Sequence, residues 1–233
     1  MRMAVKGETV NVIMPVYNEE KTLPEIIRNV LAQKVVDRLI IINDNSRDKS
    51  GSIINNAAKR DRRITSLTNK TNMGKGYSVR QGIKIVKNGI VIIQDADLEY
   101  SPDDYALLLS KVKDDTFVLG TRMRRKQEGY TFALSRVANL FLTLLFDIMY
   151  QKRISDINTC YKVFRSEMLK NSGLKQNGFL IDVEILSSLV RKGYMVSEVD
   201  IRYKIRSYEE GKKIGAKDAI EQALFIIGSR FSK

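Results

Sequence analysis

The chain has 233 residues, 43% of them hydrophobic, with 40 Lys and Arg against 27 Asp and Glu, a formal net charge of +13. That length suits one large globular domain, and the charge asks for an anionic partner, whether nucleic acid, an acidic membrane surface or a phosphorylated substrate. The single cysteine, Cys160, excludes an internal disulfide and suits a reducing cytoplasm, while the absence of histidine excludes any mechanism that needs an imidazole.

In chain order, the N-terminal residues Met1–Lys6 lack the apolar core of a secretory leader. Strand-like runs then follow at Val10–Met14, Leu39–Ile42, Ile64–Leu67, Ile90–Ile93 and Thr116–Leu119. Helical patterns separate them, over Leu23–Gln33, Ser50–Lys59, Gly76–Val86 and Pro102–Val112. Apolar strands alternating with single helices predict βαβ units, and hence an α/β fold whose mostly parallel sheet is covered on both faces. After about Thr121 the rhythm changes to a basic loop, a long apolar helix over Phe132–Tyr150, an irregular stretch, a helix from about Leu180, a strand near Val196–Ile201 and a final helix. No linker interrupts this second half, which reads as an elaboration of the same domain. No transmembrane span is expected, because the longest apolar stretch, Leu140–Met149, is short and contains Asp147.

The fourth strand ends in Gln94-Asp95-Ala96-Asp97-Leu98-Glu99. At i, i+2 and i+4 on an extended segment, the carboxylates of Asp95, Asp97 and Glu99 are expected to project to one side. Acid groups crowded at a strand's carboxyl end suit a hard divalent ion, Mg²⁺ or Mn²⁺, shared with phosphate oxygens. Polar clusters also follow the first strand (Pro15-Val16-Tyr17-Asn18-Glu19-Glu20) and the second (Asn43-Asp44-Asn45-Ser46). Another, Asn72-Met73-Gly74-Lys75-Gly76, precedes the third helix, its two glycines allowing close backbone approach beside a lysine. Each alone could be a turn or a cap. Together, at successive carboxyl ends of one parallel sheet, they describe a nucleotide cleft.

These motifs resemble those of family-2 glycosyltransferases with the GT-A, Rossmann-like fold. The resemblance continues through Gly120-Thr121-Arg122, Leu134-Ser135-Arg136, Asp156 to Lys162, and Arg206 to Lys212. The later motifs are similar to those of polyprenyl-phosphate hexosyltransferases, the dolichyl-phosphate mannose and glucose synthase group. The resemblance implies that Asp44 recognises the base or ribose of a nucleotide-sugar donor, with Pro15, Tyr17 and Glu19 lining the nucleoside pocket and Gly74 and Lys75 beside the donor. It implies that Asp95, Asp97 and Glu99 hold the metal that bridges the donor diphosphate. Arg122, Arg136, Arg206 and Lys212, with Ser135 beside Arg136, would neutralise the leaving group or hold the acceptor phosphate. Roughly, residues 10–121 would form the donor half and 122–233 the acceptor and membrane-facing half.

The missing histidine agrees with a phosphate acceptor, which is anionic at neutral pH and needs no general base, whereas Asp156 could still serve as base for a glycan hydroxyl. The helix Phe132–Tyr150 is apolar over most of its circumference, its polar residues Ser135, Asn139, Thr143 and Asp147 recurring every four. That pattern suits a buried helix, a homo-oligomer interface or a helix lying in a bilayer surface. The last helix carries Ile220, Ala223, Leu224, Ile227 and Phe231 on one face, an ordinary packing pattern. The reading is an inverting, metal-dependent hexosyltransferase, moving mannose or glucose from a UDP- or GDP-linked donor to a polyprenyl phosphate, peripheral on the cytoplasmic face of an anionic membrane. The alternatives are transfer to a glycan hydroxyl and a basic nucleic-acid-binding protein. The second is disfavoured because the basic residues lack interleaved aromatics and the acidic cluster would repel phosphate.

Overall fold

The computed structural model describes residues 7–123, 133–204 and 216–231. Seven strands form one sheet: β1 (Val10–Val16), β2 (Arg38–Asn43), β3 (Ile64–Thr68), β4 (Ile90–Ile93), β5 (Thr116–Thr121), β6 (Lys162–Arg165) and β7 (Met195–Asp200). The helices are α1 (Leu23–Ala32), α2 (Ser50–Arg60), α3 (Lys75–Ile85), α4 (Tyr105–Leu109), α5 (Ala133–Tyr150), α6 (Ile181–Arg191) and α7 (Ala216–Phe231). Strand order is β3-β2-β1-β4-β6-β5-β7. Every pairing is parallel except those of β6, which runs against both β4 and β5.

The expected α/β architecture is present, and the central strands show why. Leu39 to Ile42 and Ile90 to Ile93 have no exposed surface, so both pleat faces are covered and no hydrophobic-polar alternation is needed. Pro24 sits in the first turn of α1, where its fixed φ suits a helix start and its missing N–H costs nothing. The sequence reading missed β6, which lies within the stretch taken as irregular. At four residues, with Lys and Arg at its ends, it has too little apolar length to announce itself.

The topology gathers the polar clusters. Six parallel strands place their carboxyl ends on one edge, and the antiparallel β6 brings its amino end there. Lys162, the first residue of β6, pairs with Leu119 of β5 one step beyond the Ile92–Val163 pair of β4.

Two helices depart from ordinary amphipathic packing. On α5 the polar stripe faces inward. Asn139 and Thr143 are buried, and Asn139 Nδ2 donates to Asp156 while Ile157 N–H donates to Thr143 Oγ1. The apolar face points out, with Val137, Leu140, Phe141, Leu144 and Ile148 each 57–67% exposed. The last helix does the same. Ile220, Leu224, Ile227 and Phe231, expected to pack on the core, are 43–76% exposed, while Gln222 and Ile226 turn inward. The two helices lie against each other. No helix among the described residues is long and apolar enough to cross a membrane.

Candidate active site

The loops after β1 and β2 are laced together. Asn18 N–H donates to Ser46 Oγ at 3.1 Å, Arg47 N–H to Asn18 Oδ1 at 2.8 Å, and Glu19 N–H to Ser50 Oγ at 2.9 Å. Asn18 and Asn45 take left-handed backbone conformations, which asparagine tolerates better than most residues. Pro15 and Tyr17 are half-buried at the rim of this pair of loops.

Asp44, 3% exposed, organises the next loop. Its Oδ1 accepts from Asn69 Nδ2 at 2.7 Å and Met73 N–H at 2.9 Å, and its Oδ2 accepts from Gly74 N–H at 2.7 Å. These bonds pin the segment that carries Lys75. The two glycines do make room for close backbone approach, but from within the protein. At Gly74 the carbonyl oxygen of Asn177 lies 2.5 Å from where a Cβ would be, and Gly74 also has φ +91°. A side chain at Gly76 would meet the same 176–178 segment.

The Asp95–Glu99 segment corrects the expectation of three carboxylates in line. The strand stops at Ile93, and Leu98 takes φ +63°, a strained conformation for a leucine. The chain turns there, so the i, i+2, i+4 rule of an extended segment no longer applies. Asp97 Oδ1 accepts from Glu99 N–H at 3.1 Å, while Glu99 Oε2 accepts from the Tyr203 hydroxyl at 2.8 Å. Among the described residues, no three carboxylates, thiols or imidazoles gather to form a metal cage. Asp95 and Asp97, neighbours at the strand end, fit a hard ion of the Mg²⁺ or Mn²⁺ type, for which one or two carboxylates plus phosphate oxygens are the usual share. Behind them, buried Gln94 is fixed by the hydroxyls of Tyr105 and Tyr161 at 2.6 and 2.8 Å. Burial pushes the Cys160 thiol well above its ordinary range, which makes it an inert core residue.

Lys75 comes to Asp95 from the pinned loop. Its Nζ is 2.9 Å from Asp95 Oδ1 and 3.1 Å from Asp182 Oδ2, and Asp182 Oδ1 lies 3.2 Å from Lys162 Nζ. Burial works against each charge, and the neighbours outweigh it. Asp182 and Asp95 hold the Lys75 ammonium above its ordinary range, and Lys162 and Lys75 hold the Asp182 carboxyl below its own. Neither Asp182 nor Lys162 was identified as a site residue from sequence. Asp182 falls in the first turn of α6, where a carboxylate reads as a complement to the helix dipole, and 107 residues separate it from Lys75.

A second ion pair stands at the carboxyl end of β5. Arg122 Nε is 2.7 Å from Asp156 Oδ2 and its Nη2 is 2.8 Å from Oδ1, a two-pronged bond in which Asp156 is fully buried. Arg122 N–H and Asn139 Nδ2 also donate to that carboxylate. The Arg122 guanidinium lies over the Tyr203 ring, 4.9 Å from its centroid. Burial opposes the Arg122 charge, and Asp156 more than restores it. Asp156 is therefore the anchor of Arg122, and the reading of it as a general base loses its geometric support: no face of the carboxylate is open to an acceptor hydroxyl. Arg136 is exposed in the first turn of α5, and Ser135 precedes it. Arg206 and Lys212 lie outside the described residues.

The comparisons with known proteins agree with this architecture. The model of the family described as Glycosyl transferase family 2 matches residues 11–173. The chain is 27% identical over 234 residues to a dolichyl-phosphate beta-glucosyltransferase from Trichomonas vaginalis, covering 93% of this chain and 71% of that protein. It is also 27% identical over 210 residues to an undecaprenyl-phosphate 4-deoxy-4-formamido-L-arabinose transferase from Shewanella sediminis, covering 87% of this chain and 61% of the relative. Among solved structures, glucosyl-3-phosphoglycerate synthase from Mycobacterium tuberculosis in complex with Mg²⁺ and UDP superposes with a TM-score of 0.70 over 96% of this chain and 78% of that one. The identity there is 16%, so the likeness shows a common fold. With a family model spanning most of the chain and all its parallel strands meeting at one polar edge, this protein belongs to glycosyl transferase family 2 and is a glycosyltransferase.

Proposed function

We propose that the chain transfers a hexose from a nucleoside diphosphate sugar to a polyprenyl phosphate, working on the surface of an anionic membrane. The observation that carries this reading is the inside-out helix α5. Its inward stripe, through Asn139, fixes the Asp156–Arg122 pair of the site, while its outward stripe presents five large apolar side chains to solvent. The neighbouring α7 likewise exposes Ile220, Leu224, Ile227 and Phe231, and monomeric soluble domains rarely leave large apolar side chains clustered in water. An acceptor with a phosphate head and a hydrocarbon tail gives both stripes a purpose. Names of the curated relatives support the same acceptor class, one a dolichyl-phosphate and the other an undecaprenyl-phosphate transferase.

In this reading the loops after β1 and β2, with Pro15, Tyr17, Glu19 and the Asp44-pinned segment, form the donor's nucleoside pocket. Asp95 and Asp97 would hold a Mg²⁺ or Mn²⁺ ion, which supplies charge neutralisation to the departing diphosphate. Solved relatives of the same fold contain Mn²⁺ or Mg²⁺ with UDP, which supports the assignment. Arg122 is held charged and oriented by Asp156, and Arg136 stands exposed at the start of α5, so both can face phosphate groups. A phosphate monoester carries about −1.5 to −2 charge at neutral pH and attacks the anomeric carbon without a base. As that oxygen–carbon bond forms, the bond from carbon to the diphosphate breaks and the configuration inverts. Transfer to a glycan hydroxyl is the weaker reading, because it needs a base and Asp156 is fully committed to Arg122 and Asn139. The test is incubation of the full chain with UDP- and GDP-hexoses, Mn²⁺ and vesicles containing short polyprenyl phosphates. A lipid-linked, mild-acid-labile monosaccharide is expected, and transfer only to soluble glycans would refute the reading.

A further inference from the structure

The charges under Asp95 alternate in a line: Asp95, Lys75, Asp182, Lys162. Their separations are 2.9, 3.1 and 3.2 Å. Two positive and two negative groups sum to zero, and all but Asp95 are largely shielded from water: the side chains of Lys75, Asp182 and Lys162 are 13%, 9% and 1% exposed. Lys162 is further tied to the Thr159 carbonyl, so Asp182 is held from the far side by a cation that has no room to leave. The backbone beneath Lys75 is equally fixed, through Gly74 N–H on Asp44 and Tyr77 N–H on the Asn177 carbonyl. What remains adjustable is the Lys75 side chain, which touches a carboxylate on either side.

A divalent ion arriving at Asp95 meets a carboxylate that already has a cation on it. Like charges a few ångströms apart repel strongly where water is scarce. Lys75 cannot be expelled into solvent without undoing the pinned loop, but Asp182 already lies within contact distance. We propose that Lys75 is the resident counter-cation of Asp95 in the donor-free protein, and that Asp182, fixed by Lys162, takes Lys75 over when a divalent ion reaches Asp95. Lys75 thereby keeps Asp95 from standing as an uncompensated charge in the empty site. Asp182 and Lys162 are positioning residues that act on the ion site through Lys75 and touch neither ion nor substrate. The inference rests on the assignment of the ion to Asp95 and Asp97 made above.

The test is Mn²⁺ titration of the full chain without nucleotide, with free Mn²⁺ followed by electron paramagnetic resonance and folding checked by circular dichroism and thermal melting. Removing the competing cation in Lys75→Met, and in Lys75→Gln as a polar second variant, should tighten Mn²⁺ binding by about fivefold or more, the lower end of common coupling between sites. Asp182→Asn should weaken it by a similar factor, because Lys75 then has Asp95 as its remaining carboxylate. In a Lys75→Met background the same Asp182→Asn change should matter by less than about twofold, the range within which independent sites add. Affinity in both Lys75 variants equal to or weaker than wild type overturns the proposal, as does an equal effect of Asp182→Asn in both backgrounds. If Asp182→Asn does not fold, the two Lys75 variants decide alone. Asp95→Asn separates the two claims. Unchanged Mn²⁺ affinity there refutes the ion assignment and this inference with it, whereas lost affinity with no gain in the Lys75 variants refutes the inference alone.

Discussion

Asp156→Asn keeps the side-chain volume and removes the charge, which makes it a clean probe of the Arg122 anchor. In the wild type the carboxylate accepts four donors: Arg122 Nε, Nη2 and N–H, and Asn139 Nδ2. In the variant one oxygen becomes an amide donor facing another donor, and the guanidinium, 14% exposed as a side chain, loses its counter-charge. Removing one partner of a buried ion pair destabilises by about 3–5 kcal/mol. For a domain of this size each kcal/mol moves the melting temperature by about 2–4 °C, so a fall of roughly 6–20 °C is expected. Thermal unfolding by circular dichroism measures it. The double variant Arg122→Met with Asp156→Leu should melt above Asp156→Asn, because it leaves no unpaired buried charge. If Asp156 were instead a general base, Asp156→Asn would abolish transfer with the fold untouched. A melting temperature within about 2 °C of wild type, below the smallest expected effect, would refute the anchor argument.

Asp97→Ala should abolish transfer while leaving the melting temperature nearly unchanged, because the residue is half-exposed at a loop; EDTA should do the same to the wild type reversibly, and full activity of the folded variant in EDTA would remove the metal from the account. Leu140→Ser with Leu144→Ser alters two exposed side chains of α5, so stability should stay within about 0.5 kcal/mol for each, while binding to anionic vesicles in high salt falls several-fold in a flotation assay. Undiminished vesicle binding by that variant would mean that α5 does not enter the bilayer surface. Asp182 ionises more readily in the folded than in the unfolded chain, so protons bind the unfolded state first as pH falls below about 4. Its stabilising contribution is complete above that pH and lost as pH drops towards the lower folded value; on acidification below about pH 4 urea midpoints should therefore fall less steeply for Asp182→Asn than for wild type.

Much of residues 10–121 was legible in the sequence because the signals there are local. Continuous aliphatic runs marked β2 and β4 and a largely apolar one marked β1, and the parallel arrangement then sends their polar ends to one edge. The same reasoning stumbled where a single residue changed the backbone. Leu98 in the left-handed region ends the extended geometry on which the three-carboxylate expectation depended, and leucine gives no warning of it. Lys162 and Asp182 stayed hidden because their roles come from topology: one starts a four-residue antiparallel strand, the other a helix 107 residues from Lys75. The polar stripe of α5 was visible as Asn139, Thr143 and Asp147 at steps of four, and three readings suited it. The structure turns that stripe inward, excluding a wholly buried helix, since burial would have hidden Leu140 and Ile148 as well. For α7 the pattern alone favoured packing, and the solvent-facing Phe231 reverses it.

The most direct measurement of the central claim is the initial rate of transfer to a short polyprenyl phosphate against the same polyprenol without its phosphate, both in anionic vesicles with one donor and Mn²⁺. If the acceptor is the phosphate anion, held by arginines and attacking without a base, the phosphate should be turned over at least about a hundredfold faster, since a hydroxyl would lack the base-catalysed contribution it needs. Equal rates with the two lipids would contradict the account.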